Sequence, residues 1–156
     1  MRIRTFETEL WLPRTPSNLF PFFGDAGNLQ TLTPPSLHFE ILTPQPIVMN
    51  VGALIDYRLR VHHIPIRWRT EITLWDPPHR FVDTQIRGPY KFWVHEHTFS
   101  PRDGGTVAKD RVQYAAMGGS LIHHWLIKPD LERIFAYRSQ VLRKIFGTEP
   151  APENRV

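Results

Sequence analysis

Between Gly88 and Tyr114 the chain alternates with period two on both sides of a turn cluster, Pro101-Arg102-Asp103-Gly104-Gly105. Successive side chains of a strand point to opposite sides. Trp93, His95, His97 and Phe99 therefore share one face of the first run, and Phe92, Val94, Glu96 and Thr98 the other. The same alternation predicts a strand over residues 2–12, ended by Pro13. Thr15 as N-cap and Pro16 in the first helical position then predict a helix. Leu19, Phe20, Phe22 and Phe23 are its apolar side, Pro21 is expected to kink or shorten it, and Gly24 to end it. A second short helix is predicted across residues 25–32, closed by Pro34-Pro35.

Strand-like runs follow near residues 36–43, 51–62, 65–76, 80–87, 90–100 and 105–116, with Pro-rich or Gly-rich breaks between them. Short turns between sequential strands predict an antiparallel meander. The last element is a helix opened by Pro129-Asp130 and stopped by Gly147. Leu131, Ile134, Phe135, Arg138, Val141, Leu142 and Ile145 recur in it at helical spacing, so one face must be buried. Residues 148–156 are polar and expected to be a disordered tail. The predicted fold class is α+β: a curved seven-stranded antiparallel sheet wrapped around a long C-terminal helix, in one domain over residues 1–147. A strongly curved sheet cannot meet a straight helix along its whole length, so a gap is expected between them.

Composition narrows the chemistry. The chain has 156 residues and no cysteine, which excludes disulfides, thiolate metal sites and cysteine nucleophiles. The N-terminal residues carry interspersed charges and no apolar run, unlike a signal peptide. The longest uncharged runs, residues 41–55 and 112–127, are too short and too polar to span a bilayer, so a cytoplasmic location without membrane insertion is expected. The net charge of +4 is dispersed, which argues against nucleic-acid binding. Nucleophile-elbow and phosphate-loop motifs are absent.

The order of elements resembles the helix-grip fold of the START-like superfamily, which includes polyketide cyclases and birch-pollen-allergen-like proteins. Three segments resemble the bacterial ligand-binding domains called SRPBCC: residues 87–90 with 93–99, residues 103–106 with 110–112, and residues 134–138. The resemblance implies the fold and an internal ligand cavity. It carries over no catalytic residue, because these domains have no agreed catalytic signature.

His95 and His97 lie two apart on a strand, ~6.5–7 Å between Cα atoms. They either share a metal, with further ligands from His62, His63, Asp56 or Asp110, or orient the polar end of an organic ligand. The second alternative is preferred, and no metal or cofactor is expected. Arg138 interrupts the apolar row of the last helix, so it must pair with Asp110, Glu96 or Asp83 or else anchor a ligand carboxylate. The residues expected to line the cavity are Tyr57, Trp68, Trp93, His95, His97, Phe99, Tyr114 and Arg138. Arg58, Arg60, Arg67 and Arg69 are expected on the solvated convex face. His62-His63 and His123-His124 are expected near turns. The connection over residues 115–128 is either a lid hinged at Gly118-Gly119 or a loop that buries Leu121, Trp125 and Leu126. The expected function is binding of a mainly apolar small molecule such as a lipid, isoprenoid or polyketide; a cyclase-like enzyme and a protein-interaction module are the alternatives.

Overall fold

The computed structural model describes residues 1–148. Most of the tail expected to be disordered lies outside the described residues. Strand β1 (Arg4–Leu12) is followed by helix α1 (Pro16–Phe23) and a 3-10 turn over Ala26–Leu29. The Thr15 side chain accepts the Asn18 amide as an N-cap, and Asp25 caps the 3-10 turn in the same way through Gly27. Six strands follow: β2 (Glu40–Ile41), β3 (Leu54–Val61), β4 (Ile64–Asp76), β5 (Arg80–Arg87), β6 (Phe92–Arg102) and β7 (Gly105–Ala115). Helical turns α2 (Gly119–Ile122), a π-helical turn (His123–Ile127) and α3 (Lys128–Phe146) complete the chain.

All strands join one antiparallel sheet in the order β1-β7-β6-β5-β4-β3-β2. The helices between β1 and β2 carry the chain from one edge of the sheet to the other. Two hairpins use two-residue turns in which both residues have positive φ: Asp103-Gly104 between β6 and β7, and His62-His63 between β3 and β4. Such turns match the twist of the flanking strands. Asp-Gly is readily legible as one of them; His-His is not, because it contains no glycine and positive φ is uncommon for any residue with a side chain.

Two predicted elements differ. The run over residues 36–43 contracts to the two residues of β2, because Pro34 and Pro35 lack ladder donors and Pro35–Leu37 form a 3-10 turn instead. The last helix begins earlier than Pro129, since residues 119–127 are already helical. Proline removes one amide donor and collides with the carbonyl four residues back. The π turn just before it widens the backbone there and lets the helix run through.

The core has two large parts and a smaller one of Ala26, Ile55 and Ile72. Leu10, Leu12, Leu19, Phe20, Phe81, Phe99, Ala108 and Leu142 close the end covered by α1. Trp68, Trp93, Val112, Tyr114, Leu131 and Phe135 form the other large part under α3. Helix α3 leans on β1, where Phe135 meets Phe6 with ring centroids 5.1 Å apart. It stands away from β3 and β4, which leaves the gap the curvature demands. On the convex face Arg58 pairs with Glu40 and Arg69 with Asp56, in exposed geometry that contributes little to stability.

Gly105, opposite β1, has no room for a side chain: a Cβ there would overlap the Leu12 carbonyl oxygen and the Trp11 indole. Gly105→Ala is expected to lower the stability by about 1–3 kcal/mol. Urea unfolding monitored by circular dichroism reads this as a lower midpoint with an unchanged slope.

Candidate functional site

A cavity of about 340 Å³ occupies the gap between the sheet and α3. Tyr57, Leu59, Trp68, Trp93, Leu131 and Phe135 are among the side chains that wall it. Its polar wall is a cluster that three adjacent strands and the helix bring together. Asp83 comes from β5, His95 and His97 from β6, Asp110 from β7 and Arg138 from α3. The register puts Asp83 opposite His95 and Asp110 opposite His97. Alternation then turns all four strand side chains inward.

The contacts within the cluster are close and reciprocal. His95 Nε2 donates to Asp110 Oδ1 at 2.8 Å, and His97 Nε2 donates to Asp83 Oδ2 at 2.7 Å. The remaining nitrogens cross over: His97 Nδ1 lies 3.3 Å from Asp110 Oδ1, and His95 Nδ1 lies 3.7 Å from Asp83 Oδ2. The two imidazoles stack at 3.7 Å between centroids, and Phe81 stacks on His97 at 4.1 Å. Arg138 reaches Asp110 Oδ1 at 3.5 Å and His97 Nδ1 at 3.4 Å. Its guanidinium also stands over the ring of Phe23, 5.4 Å from the centroid.

Electrostatics follows from this packing. Burial acts to raise the Asp110 pKa, but Arg138 and the hydrogen bonds from both imidazoles outweigh it and hold the carboxyl well below its usual range. Asp83 is lowered in the same way, with burial opposed by His95, His97 and Arg138. His95 is lowered, first by burial and then by the charge of His97. His97 is raised, because its contacts with Asp110 and Asp83 overcome burial. The cluster therefore sets two carboxylates against one guanidinium and one imidazolium, which is how so many polar groups are tolerated inside the fold.

Of the residues expected in the cavity wall, Tyr57, Trp68, Trp93, His95, His97 and Arg138 do border it. Phe99 and Tyr114 do not, and the expectation is corrected for both. Phe99 lies further along β6 in the aromatic core, 4.9 Å from Phe23 and 5.5 Å from Phe20 between ring centroids. Tyr114 is sealed beside the π turn, where its hydroxyl meets His123 Nε2 at 2.6 Å. His123 is thus a buried partner, whereas His62 and His63 lie in an exposed turn. The connection expected as a lid or a burying loop is a helical segment. Leu121 and Trp125 are each 74% exposed on it, while Met117 and Ile127 at its two ends border the cavity.

Asp83 is the cavity-facing member of the polar cluster that is absent from the expected wall. Its signal was faint: Phe81 and Asp83 share a face of β5, but Ile86 points outward at 53% exposure and blurs the alternation. Two N–H groups on the wall residues have no acceptor among the described residues, Trp68 Nε1 and Arg138 Nε. The side chains that carry them are more than nine-tenths buried.

No protein-family model and no curated protein matches this chain. Solved structures do. Protein CV1439 from Chromobacterium violaceum superimposes with a TM-score of 0.70 at 15% identity, covering 94% of this chain and 99% of that one. Major latex-like protein 151 from Panax ginseng gives 0.68 at 8% identity, with 92% and 97% covered. A norcoclaurine synthase point mutant from Thalictrum flavum, in complex with a transition-state analogue, gives 0.66 at 15% identity, with 92% and 96% covered. The chain shares the fold of these structures, the helix-grip fold. Among the described residues, no helix is long and apolar enough to cross a membrane.

Proposed function

We propose that this protein binds a mainly apolar small molecule, of lipid, isoprenoid or polyketide character, in the cavity between the sheet and α3. The observation that carries the proposal is a cavity of about 340 Å³ with aromatic and aliphatic walls and one polar cluster. Apolar walls supply affinity at roughly 25 cal/mol per Å² of ligand surface covered, and a few placed polar groups supply orientation. Arg138 is engaged by Asp110 and His97, which disfavours it as the anchor of a ligand carboxylate. The free N–H groups of Trp68 and Arg138 call instead for oxygen acceptors, such as a carbonyl, ether or hydroxyl.

Native mass spectrometry of freshly purified protein, followed by solvent extraction, is the direct test. A bound organic molecule with oxygen acceptors is expected. A neutral, environment-sensitive dye should compete with it and should lose at least ten-fold in affinity in Ile134→Trp, which fills the cavity from α3. Trp68→Phe should weaken the extracted molecule by about 2–10-fold, the worth of one hydrogen bond. A protein that arrives empty, and a dye that binds wild type and Ile134→Trp equally, would overturn the proposal.

A second reading has support of its own. Asp83, His95 and His97 converge on the cavity, with His97 hydrogen-bonded to Asp83 at 2.7 Å and His95 Nδ1 3.7 Å from the same carboxylate, a grouping of titratable side chains that acid–base chemistry on a bound molecule could use. One of the solved structures of this fold is named as a synthase. Under this reading, replacing His97 with glutamine abolishes turnover of the extracted molecule and leaves its binding intact.

A further inference from the structure

The cluster holds more than hydrogen bonds between two acids and two imidazoles. One ligating atom from each of Asp83, His95 and His97 lies within 4.8 Å of those of the other two. All three residues border the cavity, whereas Asp110 stands behind them, outside its wall. Asp110 Oδ1 takes the Nε2–H of His95 at 2.8 Å and lies 3.3 Å from Nδ1 of His97. An ionised carboxylate only accepts hydrogen bonds. It therefore draws the imidazole protons to His95 Nε2 and His97 Nδ1. The other two nitrogens, His95 Nδ1 and His97 Nε2, face Asp83 Oδ2 at 3.7 and 2.7 Å; His95 Nδ1 keeps a lone pair, and His97 Nε2 gains one when the proton it shares with Asp83 leaves. A carboxylate behind metal-binding histidines, fixing tautomer and ring orientation, is the outer-shell arrangement that such sites use. Arg138 holds Asp110 from the far side and makes no ion pair with Asp83 among the described residues.

We propose that Asp83, His95 and His97 form a mononuclear site for a divalent first-row transition ion, with Asp110 as the positioning carboxylate and the open coordination position turned to the cavity. Two imidazoles and one carboxylate, with no thiolate, suit Zn²⁺, Fe²⁺ or Co²⁺ rather than Ca²⁺ or Mg²⁺. Bonds of about 2.0–2.1 Å to a tetrahedral ion put its ligands roughly 3.3 Å apart. The 2.7 Å pair must open and the 3.7 Å pair must close by well under 1 Å each, within the reach of small side-chain rotations. Uptake displaces the proton now shared by His97 and Asp83, so the net charge of the cluster rises by one and not two. The fourth position is free for water or for an oxygen of whatever occupies the cavity. The site stands apart from the identity of that occupant and from the expectation, drawn from sequence, that no metal is bound.

Chelator-stripped full-length protein, titrated with Zn²⁺ by calorimetry and with Co²⁺ by visible absorption, tests the proposal. One ion per chain is expected, with the d–d bands of a four- or five-coordinate Co²⁺. Asp83→Asn and His97→Gln should each weaken binding at least 100-fold, and the double variant His62→Ala/His63→Ala should not change it. Imidazole nitrogen NMR of the wild type needs no variant to fold: of the eight histidines, Zn²⁺ should move His95 Nδ1 and His97 Nε2 most. Absence of Co²⁺ bands, or Zn²⁺ binding lost in His62→Ala/His63→Ala and kept in Asp83→Asn, overturns the proposal. Neither outcome touches dye binding by the metal-free protein, so the cavity and the metal site fail separately.

Discussion

Asp110→Ala is expected to destabilise the metal-free protein by about 3–5 kcal/mol, the cost of breaking a buried ion pair from one side. Asp110 is only 9% exposed and serves three groups at once: His95, His97 and the guanidinium of Arg138. Among the described residues, its loss leaves Arg138, itself 7% exposed, with no ion-pair carboxylate and with His97 Nδ1 as its remaining polar contact. Asp110→Ala/Arg138→Met removes both charges, and most of the loss should be recovered, since apolar replacement of a whole buried pair is often neutral or better. Denaturant unfolding of the two variants reads the difference; equal destabilisation in both would mean that the charge pair is not the cause.

The same carboxylates set the acid limit of the fold. Asp83 and Asp110 titrate below their ordinary value of 3.8 in the folded state. Their contribution is therefore complete above that pH and is lost as the pH falls through the depressed range. In Asp110→Ala the wild-type loss of stability below pH 3.8 should shrink, because only Asp83 then has to be protonated against its surroundings. Near neutrality the two imidazoles oppose each other. His97, raised above 6.5, contributes stability below that pH that is lost as the pH rises through its folded value. His95, lowered below 6.5, costs stability as the pH falls from 6.5 through its folded value. The histidine contribution to stability should accordingly pass through a maximum near pH 6.5 and fall on both sides of it.

Phe20→Ala should cost about 3–5 kcal/mol for a different reason. Phe20 is 4% exposed at the closed end of the fold, edge-on to Trp75, Phe81 and Phe99 at centroid distances of 5.0, 5.6 and 5.5 Å. Truncation there opens a void in a region with packing on every side, and the surroundings cannot collapse into it. Leu59→Ala is the contrasting case. Leu59 already faces the cavity, so one side of it has no partner atoms to lose. It should cost well under half as much as Phe20→Ala in the same unfolding assay. Equal losses would mean that the cavity is collapsed in solution and that its wall is packed like a core.

The strand pattern made much of this legible. Period two alone puts Trp93, His95, His97 and Phe99 on one face, and all four are buried together. The Thr15-Pro16 helix start, the Asp-Gly turn and the buried row of α3 through Leu131, Phe135, Arg138 and Leu142 are equally local signals, each carried by a few adjacent residues. Arg138 could be seen to need a partner, and Asp110 and Asp83 were among the candidates. Glu96 drops out because it lies on the outer face and pairs there with Arg80.

Alternation assigns a residue to a face but says nothing about its height on that face or its neighbours across the ladder. Phe99 and Tyr114 share a face with the cavity residues, yet one lies in the closed core and the other beneath the π turn. Whether a side chain reaches the cavity depends on where α3 leaves the sheet. That is decided by the contact of α3 with β1, distant in sequence. The approach of Asp83 and Asp110 to the two histidines likewise exists only through the registers of β5, β6 and β7. A register shift of one residue would turn either carboxylate outward. Local patterning thus determined the strands, the helix and the aromatic–imidazole face. Sheet registry and the seat of the helix alone decided that the face would gather two acids and one arginine around two histidines, because those contacts span distances in the chain that no local period encodes.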